Sequence, residues 1–398
     1  MTKATIDDID VAGRRVLLRV DFNVPLREGG VVDDRRIRAV LPTLDTLRER
    51  GALTVVVTHL GRPGGSVESS LRVAPVAARL GELLGTDVNV AGDVVGPSAL
   101  AVVGALRDGE VAMLENVRFE PGEERNDPAL AARLASFAEV FVNDAFGTAH
   151  RAHASTEGVA HHLPGVAGYL MARELEALGS VLESPRPPVV AVLGGAKIST
   201  KIDLLTSLLA RVDVVHIGGA MACTFFRARG ARTGNSLVED DQVDVAREVL
   251  ERATGAHGRL QLPVDVVVAA EARAGAGTET VAWDAVPDDR TVVDVGAETV
   301  RTIEASFATA GTVIWNGPLG IYEVEEFATG TREVARALGR SGAYSVVGGG
   351  DLGAAVEDAG VVDRIDFIST GGGATLEFLE GRTLPGVAAL RDRGTLEA

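Results

Sequence analysis

The sequence predicts an α/β protein of two doubly wound parallel-sheet lobes, Rossmann-like in architecture and joined by a hinge helix. Three observations carry that expectation. Short β-branched runs alternate with longer helical patterns along the 398 residues, the signature of βαβ units. The runs are continuously apolar instead of alternating, as parallel strands buried on both faces require. They are also too many for one open sheet of ordinary size, so the chain must break into lobes.

In the first half the predicted strands are 16–20, 54–58, 111–114 and 140–142. In the second half they are 189–193, 212–217, 264–269, 291–295, 312–315, 344–347 and 367–368. Helical patterns lie between them. Over 36–50, Ile37, Val40, Leu41, Leu44 and Leu47 recur at helical spacing and mark one apolar face. Further helices are predicted over 128–139, 199–210 and 242–253. The break falls at 169–188, a helical stretch that ends in Pro185-Arg186-Pro187-Pro188. This gives a first lobe over 1–170, a connecting helix and linker over 171–188, and a second lobe over 189–383.

Bulk properties narrow the function. The formal net charge is −17, and such a field repels nucleic acid and anionic membranes. No apolar run approaches the roughly 20 residues of a membrane span. The opening residues carry no secretory pattern, and the single cysteine, Cys223, excludes an internal disulfide. The expectation is a soluble, cytoplasmic protein acting on small molecules. Of the 39 basic residues only Lys3, Lys197 and Lys201 are lysines. Two of these stand four residues apart in one glycine-rich loop.

Ligands of open parallel sheets bind beyond the carboxyl ends of the strands. In the first half those ends carry Asp21-Phe22-Asn23, His59-Leu60-Gly61-Arg62, Arg118 and His150-Arg151, with Arg36 at a helix start. An acidic chain that gathers arginines at one sheet edge is built to hold a small polyanion, because the guanidinium fork suits phosphate and carboxylate. In the second half the strand ends are glycine-rich: Gly194-Gly195-Ala196-Lys197, Gly218-Gly219-Ala220, Asn316-Gly317-Pro318, Gly348-Gly349-Gly350-Asp351 and Gly371-Gly372-Gly373. Glycines let backbone N–H groups approach phosphate oxygens, and helix N-termini add partial positive charge. The helix after GGAK is expected to begin near Ser199, with Lys201 in its first turn. Asp351 could hold a divalent cation bridging phosphates.

There is no Walker loop and no G-x-G-x-x-G after the first strand of either half. The histidines His150, His153, His161 and His162 lack the partners of a zinc site. One lobe holding an anionic acceptor and the other a nucleotide implies phosphoryl transfer, which needs mainly in-line positioning and charge stabilisation. No strong general base stands among the anion loops. That is tolerable for a carboxylate acceptor, which is already ionised at neutral pH.

The motifs RVDFNVP (19–25), HLGRP (59–63), LENVRF (114–119), NDAFGTAHRAHAS (143–155), VLGGAKISTKI (192–202), IWNGPLGIYE (314–323), VVGGGD (346–351) and STGGGATLEFLEG (369–381) resemble phosphoglycerate kinase. They occur in that family's order and cover essentially the whole chain. The resemblance implies reversible phosphoryl transfer between ATP and 3-phosphoglycerate with Mg²⁺, by a monomer whose lobes close about a hinge. It implies that Asp21, Phe22, Asn23, Arg36, His59, Leu60, Gly61, Arg62, Arg118 and Arg151 bind the phosphoglycerate. Arg62, Arg118 and Arg151 would grip its 3-phosphate. The nucleotide would meet Gly194, Gly195, Lys197, Lys201, Gly218, Gly219, Glu323, Gly349, Gly350, Asp351 and Leu352, with Asp351 toward the metal. Arg36, Lys197, Lys201 and the backbones of Gly350 and Gly373 would stabilise the transferring group. The segment 384–398 would return to the first lobe. Two departures stand out: Leu352 replaces the family's usual Ser or Thr after GGGD, and Ala220 replaces a frequent third glycine.

Overall fold

The computed structural model describes residues 3–255 and 257–394. The chain divides into two compact units, one running to Glu176 and joined by the segment from Thr383 on, the other spanning Ala177–Arg382. Among the described residues no helix is long and apolar enough to cross a membrane.

The first unit is built on a six-stranded sheet in which every pairing is parallel. Its chain order begins with β1 (Arg15–Arg19), a short hairpin of β2 (Leu26–Arg27) and β3 (Gly30–Val31), α1 (Arg35–Glu49) and β4 (Leu53–Val57). There follow α2 (Ala74–Leu84), β5 (Val88–Val90), α3 (Pro97–Gly104), β6 (Val111–Met113), α4 (Pro128–Ala135), β7 (Val140–Asn143) and β8 (Gly165–Ala167). The strand order is β5-β6-β4-β1-β7-β8. Strands run outward from β1 in both directions, so the topological switch point lies at its carboxyl end. The core packs Val16, Leu18 and Val20 against Ile37, Val40, Leu44 and Leu47 of α1, the face that the apolar spacing had marked. Pro385–Ala388 (α13) belongs to this unit, and Gly386 N donates to the Ala149 carbonyl at 2.8 Å.

The chain leaves the first unit within α5 (Tyr169–Glu183). The second unit continues with β9 (Val189–Leu193), α6 (Ile202–Leu209), β10 (Val214–Ile217), α7 (Met221–Ala228), α8 (Val243–Gly255) and β11 (Arg259–Gln261). Next come β12 (Asp265–Ala269), β13 (Thr278–Ala282), β14 (Thr291–Val295), α9 (Ala297–Phe307) and β15 (Thr312–Asn316). The remainder is α10 (Thr329–Arg340), β16 (Tyr344–Gly348), α11 (Gly350–Asp358), β17 (Phe367–Ser369) and α12 (Gly373–Leu379). Its main sheet has the order β11-β10-β9-β15-β16-β17, again all parallel, with the switch point between β9 and β15.

The structure corrects one expectation outright. The runs 264–269 and 291–295 do not join the parallel sheet. They form β12 and β14 of a separate three-stranded antiparallel sheet whose third member is β13. A continuous apolar run identifies a buried strand but not its direction, and the exposed strand β13 offered no apolar run at all. The edge strands β5, β8 and β11, three residues each, were also unanticipated.

Candidate active site

At the switch point of the first sheet, the carboxyl ends of β1, β4, β6 and β7 bring the cations together. His59, which follows β4, is 4% exposed. Burial holds its imidazole well below its usual range, and Arg19, Arg118, Arg36 and Arg151 push it further in the same direction. Arg62 in turn acts on Arg118. The arginines that sequence reasoning selected therefore share one electrostatic neighbourhood around a neutral histidine. Arg36 donates to Asp21 at the start of α1, and His59 Nδ1 stands 3.7 Å from the other Asp21 oxygen.

The loops are held by their own polar groups. Asn116 accepts from Leu60 N at 3.1 Å and donates to the Leu60 carbonyl at 2.7 Å, clamping the HLGRP turn onto the end of β6. Asn23 Oδ1 accepts from Gly61 N at 2.9 Å. Phe22 N donates to Thr58 Oγ1 at 3.0 Å. Arg118 Nη1 donates to the Gly61 carbonyl and its Nε lies 3.3 Å from Glu124. The side chains of Phe22 and Leu60 are buried in the core. Their backbone groups make the loop hydrogen bonds, Phe22 N to Thr58 and Leu60 N and O to Asn116.

Sequence reasoning missed Arg19. This residue ends β1 directly after the buried run Val16-Leu17-Leu18 and is 1% exposed. Its Nε donates to Ser155 Oγ at 2.8 Å, its Nη1 to the Val20 carbonyl, and its Nη2 lies 3.4 Å from His59 Nδ1. An arginine interrupting a buried strand at its carboxyl end was the available signal. A buried guanidinium is costly unless its bonds and neighbouring carboxylates compensate it, as Ser155, the Val20 carbonyl, Glu123 and Asp21 do here.

In the second unit, Lys201 is 8% exposed. It is the residue before α6, which starts at Ile202, three residues later than expected. The turn Lys201 N to Ile198 O, 2.8 Å, takes up the intervening residues. Its ammonium donates to the Gly194 carbonyl, to the Asn316 carbonyl at 3.0 Å and to Asn316 Oδ1 at 2.7 Å. No carboxylate partners it among the described residues, and burial alone pulls its pKa down to about 8. Asn316, also missed, donates from Nδ2 to the Gly348 carbonyl at 3.0 Å. It thereby ties the GGAK loop to the end of β16. Lys197 is exposed.

Two glycines are sterically required here. A Cβ on Gly194 would collide with the Pro318 carbonyl, and one on Gly219, at φ +67°, would strike the Gly195 backbone. Gly218 belongs to the same turn after β10. Gly350 and Gly373 open α11 and α12, where first-turn N–H groups lack intrahelical partners. Gly349 precedes α11 at φ +115°. Asp351 is exposed in the first turn of α11, and Glu323 is exposed in the turn after β15. Leu352 is 0% exposed and packs with Val347, Ala355 and Val356 in the core. Its side chain lies within the core cluster of the second unit.

The sequence model of the phosphoglycerate kinase family matches residues 6–382. The chain is 52% identical over 393 residues to the phosphoglycerate kinase of Moorella thermoacetica, covering 99% of this chain and 100% of that one. It is 52% identical over 393 residues to that of Pelotomaculum thermopropionicum, with 99% and 100% covered. Among solved structures it is similar to phosphoglycerate kinase from Coxiella burnetii, with a TM-score of 0.87, 41% identity and 97% and 98% of the two chains covered. The phosphoglycerate kinase from Pyrococcus horikoshii gives a TM-score of 0.87 at 34% identity, with 98% of each chain covered.

Proposed function

The chain belongs to the phosphoglycerate kinase family, and on that premise we propose how its residues divide the work of transferring a phosphoryl group between ATP and the carboxylate of 3-phospho-D-glycerate. The products are ADP and 1,3-bisphosphoglycerate, and the reaction is a step of glycolysis. The acceptor is carried by the first unit. Asp21, Asn23, Arg36, His59, Arg62, Arg118 and Arg151 bind it, with Arg62, Arg118 and Arg151 on the 3-phosphate. The observation that carries this reading is the gathering of Arg19, Arg36, Arg118 and Arg151 around a buried, neutral His59. Such a cluster fits a small polyanion and supplies no strong base, which an ionised carboxylate acceptor does not need.

The nucleotide is carried by the second unit, on the glycine turns 194–195, 218–219 and 349–350. Glu323 is assigned to the ribose. Lys197, Lys201 and the N–H groups of Gly350 and Gly373 stabilise the in-line transferring group together with Arg36. The two substrates are brought together by closure about the α5 region, in a cytoplasmic monomer.

Among the described residues no group of three or more His, Cys, Asp or Glu could cage a metal. A lone exposed carboxylate such as Asp351 fits Mg²⁺ held mainly by phosphates and water. Bound there, the ion would neutralise phosphate charge. The decisive experiment is a coupled assay of ADP formation. Turnover that depends on both 3-phosphoglycerate and Mg²⁺ is expected; ATP binding without such turnover would overturn the assignment.

A further inference from the structure

Behind the arginine cluster lies a carboxylate that the catalytic reading leaves without a task. Glu123 sits in the turn between Phe119 and α4 and is 1% exposed. Both of its oxygens face one residue. Ser155 N donates to Oε2 at 3.0 Å, and Ser155 Oγ donates to Oε1 at 2.5 Å. The Glu123 carbonyl accepts from Ala154 N at 3.0 Å. Three bonds from one residue therefore pin the end of the loop that follows β7.

The same Ser155 hydroxyl passes the connection onward. It accepts from Arg19 Nε at 2.8 Å, so a continuous chain runs from Glu123 through Ser155 to the guanidinium at the end of β1. The loop that Glu123 pins also carries Arg151, whose carbonyl accepts from Thr156 Oγ1 at 3.0 Å, one residue beyond Ser155. Two cations of the anion site, one ending β1 and one in the loop after β7, thus take their positions from one buried carboxylate. Glu123 is also the first carboxylate acting on Arg19, ahead of Asp21. The neighbouring His153, 3.9 Å from Glu123 Oε1, supplies no positive charge at neutral pH, because burial and the arginines pull it down to about 4.

We propose that Glu123 is a positioning residue for the anion site, acting through Ser155 to fix Arg19 and the Arg151 loop in the geometry that binds the three-carbon phosphate. This rests on the assignment of that site to 3-phosphoglycerate. A carboxylate beneath an anion site has two opposed effects. Its charge repels the incoming anion, and its hydrogen bonds hold the groups that receive it. Preorganisation raises affinity by removing the cost of ordering those groups at binding. The two effects give opposite signs on neutralisation, so one experiment separates them.

Glu123→Gln keeps the volume and removes the charge and one acceptor. The expected result is an approximately tenfold rise in KM for 3-phosphoglycerate, the factor one charge-assisted hydrogen bond is worth. The calorimetric Kd for 3-phosphoglycerate should rise by the same factor, with KM for ATP unchanged. Ser155→Ala, which leaves the backbone bond in place, should raise the 3-phosphoglycerate KM in the same direction. The two changes combined should be less than additive. Unchanged or tighter 3-phosphoglycerate binding in Glu123→Gln would overturn the proposal. If that variant does not fold, Ser155→Ala decides by the same criterion. Should wild-type protein show no 3-phosphoglycerate-dependent turnover, the functional assignment fails. Calorimetry with inorganic phosphate then judges the positioning role by the same comparison of variant with wild type.

Discussion

Lys201 Nζ stands 2.7 Å from Asn316 Oδ1, a buried ammonium satisfied by an amide and two carbonyls instead of a carboxylate. A cation kept free of a counter-charge retains its full attraction for an arriving phosphate, and in a dry site that attraction is large. Lys201→Ala should lower kcat by about 10²-fold or more, as removal of other transition-state charge stabilisers does. Steady-state kinetics with saturating 3-phosphoglycerate and ATP provide the check. Turnover like that of the wild type would remove Lys201 from the transition state.

The same burial predicts a pH dependence. Desolvation lowers the Lys201 pKa from 10.5 to about 8, so in the free enzyme the ammonium is lost as pH rises through that value. A bound phosphate favours the charged form and moves the pKa back up. The profile of kcat/KM for the nucleotide reports the free enzyme and should fall above about pH 8. The kcat profile reports the complex and should hold to higher pH. A coincident fall in both profiles would show that phosphate does not reach Lys201.

Arg36 makes its contact with Asp21 from the first turn of α1, and its side chain is still 38% exposed. It is anchored yet accessible, which suits the proposed contact with the transferring phosphoryl group. Arg36→Ala should cost about 10²-fold in kcat. Arg36→Lys should recover only part of this, because a point charge does not reproduce the guanidinium fork. Full recovery by lysine would mean that charge alone matters at this position.

Much of the main sheets was readable from pattern, because a strand buried on both faces must be apolar throughout; 189–193 in the sequence became β9 without change. The three-residue edge strands and the exposed β13 carry no such pattern, and direction in β12 and β14 is set by pairing that no run of valines encodes. In the site, the exposed or loop-borne cations were evident from their position after strands. Arg19, Glu123 and Asn316 were not, because each acts from within the fold through contacts between residues distant in sequence, such as Arg19 with Ser155. Phe22, Leu60 and Leu352 lie in conspicuous motifs, yet the backbone turns their side chains into the core.

That last residue yields a prediction opposite to the one its sequence position invites. Read as a lost hydroxyl beside the phosphates, Leu352→Ser should strengthen nucleotide binding. Buried among Val347, Ala355 and Val356, the same change creates a cavity and buries a hydroxyl. The expected outcome is a stability loss of about 2–5 kcal/mol, measured by urea denaturation, with calorimetric ATP affinity unchanged. A tighter-binding, equally stable variant would place the side chain at the ligand.

Asp144, in the NDAFG motif, gives the clearest linkage between pH and folding. It is fully buried and accepts from Met171 N at 2.9 Å at the start of α5, and its Oδ2 has no hydrogen-bond partner among the described residues. Burial outweighs the favourable influence of Met171 and the nearby Thr43 and Leu170 and raises the pKa from 3.8 to about 6. A carboxyl raised on folding favours the protonated native state. Its contribution is fully present below the unfolded value and is lost as pH rises through about 6. Asp144→Asn is neutral at every pH and serves as the reference. Between pH 8 and pH 4 the stability of the wild type relative to this variant should rise by about 2 kcal/mol. Urea denaturation at a series of pH values measures it. A relative fall on acidification would mean that the ionised carboxylate stabilises the native state, with the bond to Met171 outweighing the burial.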